Sequence, residues 1–228
     1  MPDMIHVTLQ YSNAVLTALL PIFSDFAKKL ELPVPVPVAA EHVEHFATGG
    51  PVIPGYPIDV RGYLVLTNGW RFWYAWGHVN SFECPRNYRT LQDPDRVPEF
   101  VGTLRMSKRE AVRLARDVLI KMGYADKLPQ TSKRPKKVEG PFKWRGQTLP
   151  YYQIQWTWKT GDQGHYVEFD IDADKKIVTR FDSASTNLLG KPPEISVKPE
   201  LESEYRKRVM EGKQIHRRDP PPERLPAP

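Results

Sequence analysis

The chain has 228 residues, 40% of them hydrophobic, with 6 Trp, 10 Tyr and 9 Phe; that is enough apolar surface for packed cores and excludes a wholly disordered chain. An excess of 33 Lys and Arg over 27 Asp and Glu gives a net charge of +6, which permits attraction to polyanions without requiring it. The single cysteine, Cys84, excludes an internal disulfide and a thiolate metal cluster, and no stretch approaches the roughly 20 apolar residues that span a bilayer.

Ile5, Val7, Leu9 and Tyr11 alternate with His6, Thr8 and Gln10, the period of a half-buried strand. Ser12 or Asn13 then caps a helix reaching Lys29, bent or split at Pro21. The apolar run at 14–23 belongs to that helix; it is short, interrupted by Pro21 and without a positive flank, so it reads poorly as a signal peptide. Residues 33–37 alternate Pro and Val, cannot be helical, and read as an extended link from helix to sheet.

Asn68-Gly69 lies between two β-rich runs, residues 63–67 and 70–74, and predicts a type I′ hairpin because both residues tolerate positive φ. In the second strand Trp70, Phe72, Tyr74 and Trp76 share one face, suited to cover a helix, and Trp73 takes the other. Further on, Ser107 and Glu110 form a capping box, and Ala111, Ala115, Val118, Leu119 and Met122 make the apolar stripe of a helix that Gly123 ends. An antiparallel meander follows: Tyr152, Ile154, Trp156 and Trp158, a turn at 161–164, then His165, Val167, Phe169 and Ile171, and after a second turn Ile177, Thr179 and Phe181.

The landmarks occur twice. Leu32-Pro33 returns as Leu128-Pro129 and Val43-Glu44 as Val138-Glu139, at spacings of 96 and 95 residues, and each pair is followed by an aromatic hairpin. The expected fold is α+β: two tandem helix-plus-antiparallel-sheet lobes, residues 1–100 and 101–187, then a proline-rich, charged tail at 188–228 that is disordered or extended. Within the tail, residues 200–211 read as a short exposed helix.

The second lobe resembles a PepSY-type domain, through Glu110-Ala111 and Ala115 at the start of its helix and the run from Val167 through Asp170, Asp172 and Asp174 to Ile177 and Val178. Asp174-Lys175 stands where that family often has Thr-Gly, and cystatin-like inhibitors share the topology. The resemblance spans residues 107–183 and implies a binding or inhibitory module with no catalytic residues to transfer. The first lobe joins it only through the repeat, and residues 49–57 are an insertion relative to the compact pattern.

Each chemical motif has a plainer reading beside it. His42 and His45 in Glu41-His42-Val43-Glu44-His45 are metal-ligand candidates on a helix, but on a strand they face opposite ways. Asp170, Asp172 and Asp174 open like a calcium loop, yet Lys175 replaces the required Gly and Phe181 the required Glu. Cys84 with His78 or His45 lacks a nucleophile signature, and His165 reads as a half-buried strand residue. Trp73, Tyr63, Trp144 and Arg145 are the candidate binding surface: aromatics beside cations stack bases on an open sheet, while aromatics at period two also serve a helix-on-sheet core.

The leading reading is a non-catalytic module, possessing no cofactor, that binds a protein or peptide, as an inhibitor or an assembly subunit. The alternatives are a hydrolase or metal-dependent enzyme with a cleft between the lobes, using His42, Glu44, His45 or His78, and a single-strand nucleic-acid binder, although nucleic acid is not the expected partner. The compartment is periplasmic or secreted if a signal has been removed, and otherwise cytoplasmic.

Overall fold

The computed structural model describes residues 2–49, 60–85, 103–128, 134–144, 146–184, 189, 195 and 197–216. Among these residues three α-helices, α1 (Pro2–Lys29), α2 (Lys108–Lys121) and α3 (Pro199–His216), accompany ten strands. Strands β1 (Val43–Gly49), β2 (Arg61–Leu66), β3 (Arg71–Ala75) and β4 (His78–Glu83) precede α2. After it come β5 (Lys137–Glu139), β6 (Phe142–Trp144), β7 (Gln147–Leu149), β8 (Tyr151–Thr160), β9 (Gln163–Asp172) and β10 (Ile177–Ser183). The protein is α+β, as expected. Eight strands form one antiparallel sheet in the order β1-β2-β3-β4-β10-β9-β8-β5, and β6 and β7 pair separately.

The helices follow from their apolar spacing. Tyr11, Val15, Leu19, Phe23 and Ala27 recur every four residues on α1 and are buried, and Ala111, Ala115, Val118 and Leu119 form the buried stripe of α2, with Met122 buried just past its end. The Ser107 cap is present: its hydroxyl accepts from the Glu110 amide at 3.3 Å while the Glu110 carboxylate accepts from the Ser107 amide at 2.7 Å. Gly123 ends the helix at φ +87°.

α1 lies over β1, β2 and β4, and α2 over β8, β9 and β10. Beneath them one cross-strand row runs through all eight strands: Phe46, Leu64, Phe72, Phe82, Phe181, Phe169, Ile154 and Val138, each directly opposite the next. The middle six are fully buried. The β4–β10 pairing joins the two halves, with Ser81 Oγ donating to the Phe181 carbonyl at 2.9 Å and the Cys84 amide to the Thr179 carbonyl at 2.8 Å.

Several expectations are corrected. Residues 5–11 are helical, not a strand: a short alternating run is indistinguishable from a helix start, and Val7 extends the Tyr11, Val15, Leu19 spacing backwards. α1 runs unbroken through Pro21, which sits on its exposed side. The helix near the C-terminus is longer than residues 200–211 and packs on α1, with the Tyr11 and Tyr205 rings stacked at 4.0 Å. The Glu202–Arg206 pair at 3.3 Å supports it. Residues 50–57 of the insertion and 217–228 of the tail lie outside the described residues.

The Asn68-Gly69 turn is not the type I′ turn expected. Of Asn68 and Gly69 only Gly69 has positive φ (+86°), and its amide donates to the Leu66 carbonyl at 2.7 Å while Leu66 donates to Trp70 at 2.8 Å. This is a three-residue loop closed by a left-handed glycine, which also matches strand twist. Positive φ at both central residues occurs instead at Trp76 (+52°) and Gly77 (+82°), between the paired Ala75 and His78. Trp76 therefore leaves the core face on which it was expected, stands 52% exposed, and has the Arg61 guanidinium 5.5 Å from its ring centre.

The Pro-Val segment is fastened by one side chain. The buried Val38 amide donates to Ser24 Oγ at 2.8 Å, and that hydroxyl donates to the Leu20 carbonyl at 2.7 Å. Ser24→Ala is expected to cost about 1–3 kcal/mol, because it strands a buried amide without an acceptor. Urea denaturation measures it, and an unchanged midpoint would contradict the role given to Ser24.

Candidate functional site

No described helix packs on the second face of the sheet. Tyr63 and Val65 point there because Leu64 and Leu66 point inward, and Arg71 and Trp73 do so because Phe72 and Tyr74 are buried. Tyr63 is directly opposite Trp73, with ring centres 4.9 Å apart, and His45 meets Tyr63 edge-on at 6.1 Å. Beside this pair lies a cleft of about 520 Å³ whose walls include Glu44, His45, Tyr63 and Arg71.

Toward the centre the same face becomes charged. Arg71, Glu83, Arg180, Asp170 and Gln153 form a continuous cross-strand row. Arg71 pairs with Glu83 at 3.0 Å. Arg180 reaches Glu168 at 2.9 Å, Asp182 at 3.5 Å and Asp170 at 3.6 Å. Gln153 and Gln155 donate amide hydrogens to Glu168 at 3.4 and 3.2 Å, and Tyr166 donates to Asp182 at 3.0 Å. Asp170 is only 1% exposed, and burial pushes its carboxyl up to about 6 against the opposing pull of Arg180. These carboxylates are held by cations and amides, so the network shapes and stiffens the face.

No protein family, curated protein or solved structure matches this chain. Geometry alone carries the functional reading.

Of the four candidate surface residues, the structure brings Tyr63 and Trp73 together. Trp144 belongs to β6, in the separate two-stranded sheet, and Arg145 lies outside the described residues. His42 sits in a single 3-10 turn (Ala40–His42) ahead of β1, where its Nδ1 accepts the Ala39 amide at 3.1 Å, while His45 is in β1 against Tyr63. His78 opens β4 beside the Trp76-Gly77 turn.

The remaining motifs have structural work. Cys84 is buried and burial pushes its thiol up to about 12, far from a reactive thiolate. Asp172 Oδ1 accepts the Asp174 and Lys175 amides at 2.9 and 3.0 Å, and Asp174 pairs with Arg105 at 3.1 Å, so both fix the β9–β10 turn. His165 is buried and stacks on Trp158 at 5.4 Å. Among the described residues no group of three or more His, Cys, Asp or Glu side chains is placed to hold a metal, and no helix is long and apolar enough to cross a membrane. The charged row was missed by sequence reasoning because nothing local announces that β4 pairs with β10.

Proposed function

We propose that this chain is a non-catalytic module that binds a peptide or a protein segment on the sheet face carrying Tyr63 and Trp73. The supporting observation is the pair itself: two large aromatic rings in contact, on a face that no helix among the described residues covers, beside a cleft and a stiff charged row. Aromatic side chains of this kind supply most of the binding energy at protein interfaces, and a rim of fixed charges sets register.

Two related units compose the module on this reading. From either edge the strands run inward in chain order, β1-β2-β3-β4 and β5-β8-β9-β10, the second series interrupted by the β6–β7 pair; each half opens with a helix, and the repeated Val-Glu pairs fall on β1 and β5, the outermost strands. The helix-then-antiparallel order of residues 107–183 supports a PepSY-type or cystatin-like second unit.

A displayed random-peptide library panned on the immobilised protein tests the proposal. A convergent binding sequence is expected, with Trp73→Ala weakening its affinity by about 30-fold or more, the loss typical of a central aromatic anchor. No enrichment, or equal binding by a folded Trp73→Ala variant, would reject it.

A further inference from the structure

The β3–β4 hairpin turns on Trp76 and Gly77, the two residues between the paired Ala75 and His78, with φ of +52° and +82°. Positive φ at both central positions suits Asn, Asp or Gly. A tryptophan there is held in a left-handed conformation that a bulky side chain resists. Its indole stands 52% exposed, whereas Tyr63 and Trp73 are partly buried. Backbone strain retained beneath an exposed ring that the turn does not need points to use.

Arg61 shows where that ring stands. It is exposed, shares the outer face of β2 with Tyr63 two residues on, and has its guanidinium 5.5 Å from the Trp76 ring centre. Trp76 therefore closes one end of the face that carries Tyr63 and Trp73. At the other end Val65 is directly opposite Arg71 on one side and His45 on the other, and Glu44 shares their cleft. Arg71 is tied to Glu83 at 3.0 Å, while Glu44 is exposed and has no ion pair among the described residues. The strip has three levels along β2, at Arg61, Tyr63 and Val65, each two residues or about 7 Å from the next. They offer a ring, a pair of rings and an acid.

We propose, resting on the peptide-binding reading of this face, that Trp76 is its second anchor and that the partner is an extended segment lying along β2. The segment carries two ring-bearing residues, aromatic or proline, at positions i and i+2, and a Lys or Arg at i+4 that pairs with Glu44, in either chain direction. An extended chain advances about 7 Å in two residues, the spacing of the levels, whereas a helix advances about 3 Å and turns i and i+2 to different sides. β2 and β3 are already paired on both edges, so side chains rather than a main-chain ladder carry the recognition.

Panning a displayed random-peptide library on the unmodified protein, Trp76→Asn and Glu44→Lys in parallel tests this. Sequences recovered by the unmodified protein should share the two rings and the cation at that spacing. Asparagine suits the turn, so the melting temperature of Trp76→Asn should hold or rise by up to about 4 °C, while affinity for a recovered peptide, titrated by calorimetry, falls about 10-fold or more. Glu44→Lys should weaken the same peptide about fivefold and recover acidic residues in place of basic ones. Binding that Trp73→Ala weakens and Trp76→Asn leaves unchanged would overturn this proposal and leave the peptide-binding reading standing; no enrichment on the unmodified protein would overturn both. A melting temperature lowered by Trp76→Asn, or recovered anchors at helical spacing, would overturn the proposal as well.

Discussion

Truncating Phe181 to alanine is expected to remove about 3–5 kcal/mol of stability, the usual loss for a fully buried phenylalanine. Phe181 has no exposed surface and lies between Phe82, at 6.1 Å between ring centres, and Phe169 at 5.2 Å, with Tyr124 at 6.4 Å. It occupies the middle of the eight-residue row at the seam where the halves pair, so the cavity opens onto both. Against a native margin of about 5–15 kcal/mol the melting temperature should fall by on the order of 10 °C. Calorimetry should show one transition before and after the change. Two resolved transitions in the unmodified protein would show halves that unfold separately and would contradict the shared core. Phe46→Ala, at the partly buried edge of the same row, should cost less than half as much.

Removing Arg180 is expected to be as damaging and far more dependent on pH. Its guanidinium is the shared cation of Glu168, Asp170 and Asp182, and without it three carboxylates repel one another, one in the interior. Arg180→Ala should cost about 3–5 kcal/mol at neutral pH, as when a buried pair loses one member.

Asp170 supplies the sign of the pH dependence. Its folded carboxyl stands near 6, chiefly through burial, against about 3.9 in an unfolded chain. Between those values the folded protein holds a proton that the unfolded chain has released, so stability falls as pH rises from about 4 to about 6, by up to about 3 kcal/mol from this group. Asp170→Asn should abolish that slope and leave neutral-pH stability at or above the parent's, since Arg180 keeps Glu168 and Asp182. The Arg180→Ala deficit should shrink in acid, where Asp170 is protonated. Urea denaturation from pH 4 to pH 7 measures both, and a deficit equal at the two ends would contradict the account.

What could be read in the sequence was what is decided locally. The Ser107–Glu110 cap, the α2 stripe and the strand alternation around Trp156 and Phe169 depend on neighbours a few residues apart, and all are present. Alternation likewise sends Trp73 away from Phe72, but its place opposite Tyr63 depends on the three-residue loop, since a two-residue turn at Asn68-Gly69 would have set Trp73 against Leu64. Trp144 and Arg145 carry the same aromatic-cationic look, yet β6 pairs only with β7, and no local pattern states to which sheet a strand belongs.

Residues 5–11 misled because seven residues are too few to separate a period of 2 from one of 3.6. The helix near the C-terminus misled for another reason: its composition is polar, and its order comes partly from a ring stack with α1 that composition cannot express. The Asn68-Gly69 turn misled because the number of residues between the paired strands, rather than the Asn-Gly pair, selects the turn.

The stacked rings of Tyr11 and Tyr205 bear on how the chain comes to be folded at all. Their contact closes nearly the full length of the polypeptide, and a ribosome adding about 5–20 residues per second needs about 10–40 s to deliver the second ring after the first. During that interval the start of α1 must wait with one flank uncovered, although the strands beside it can already pair. Of the three described helices, the first made is among the last to be finished.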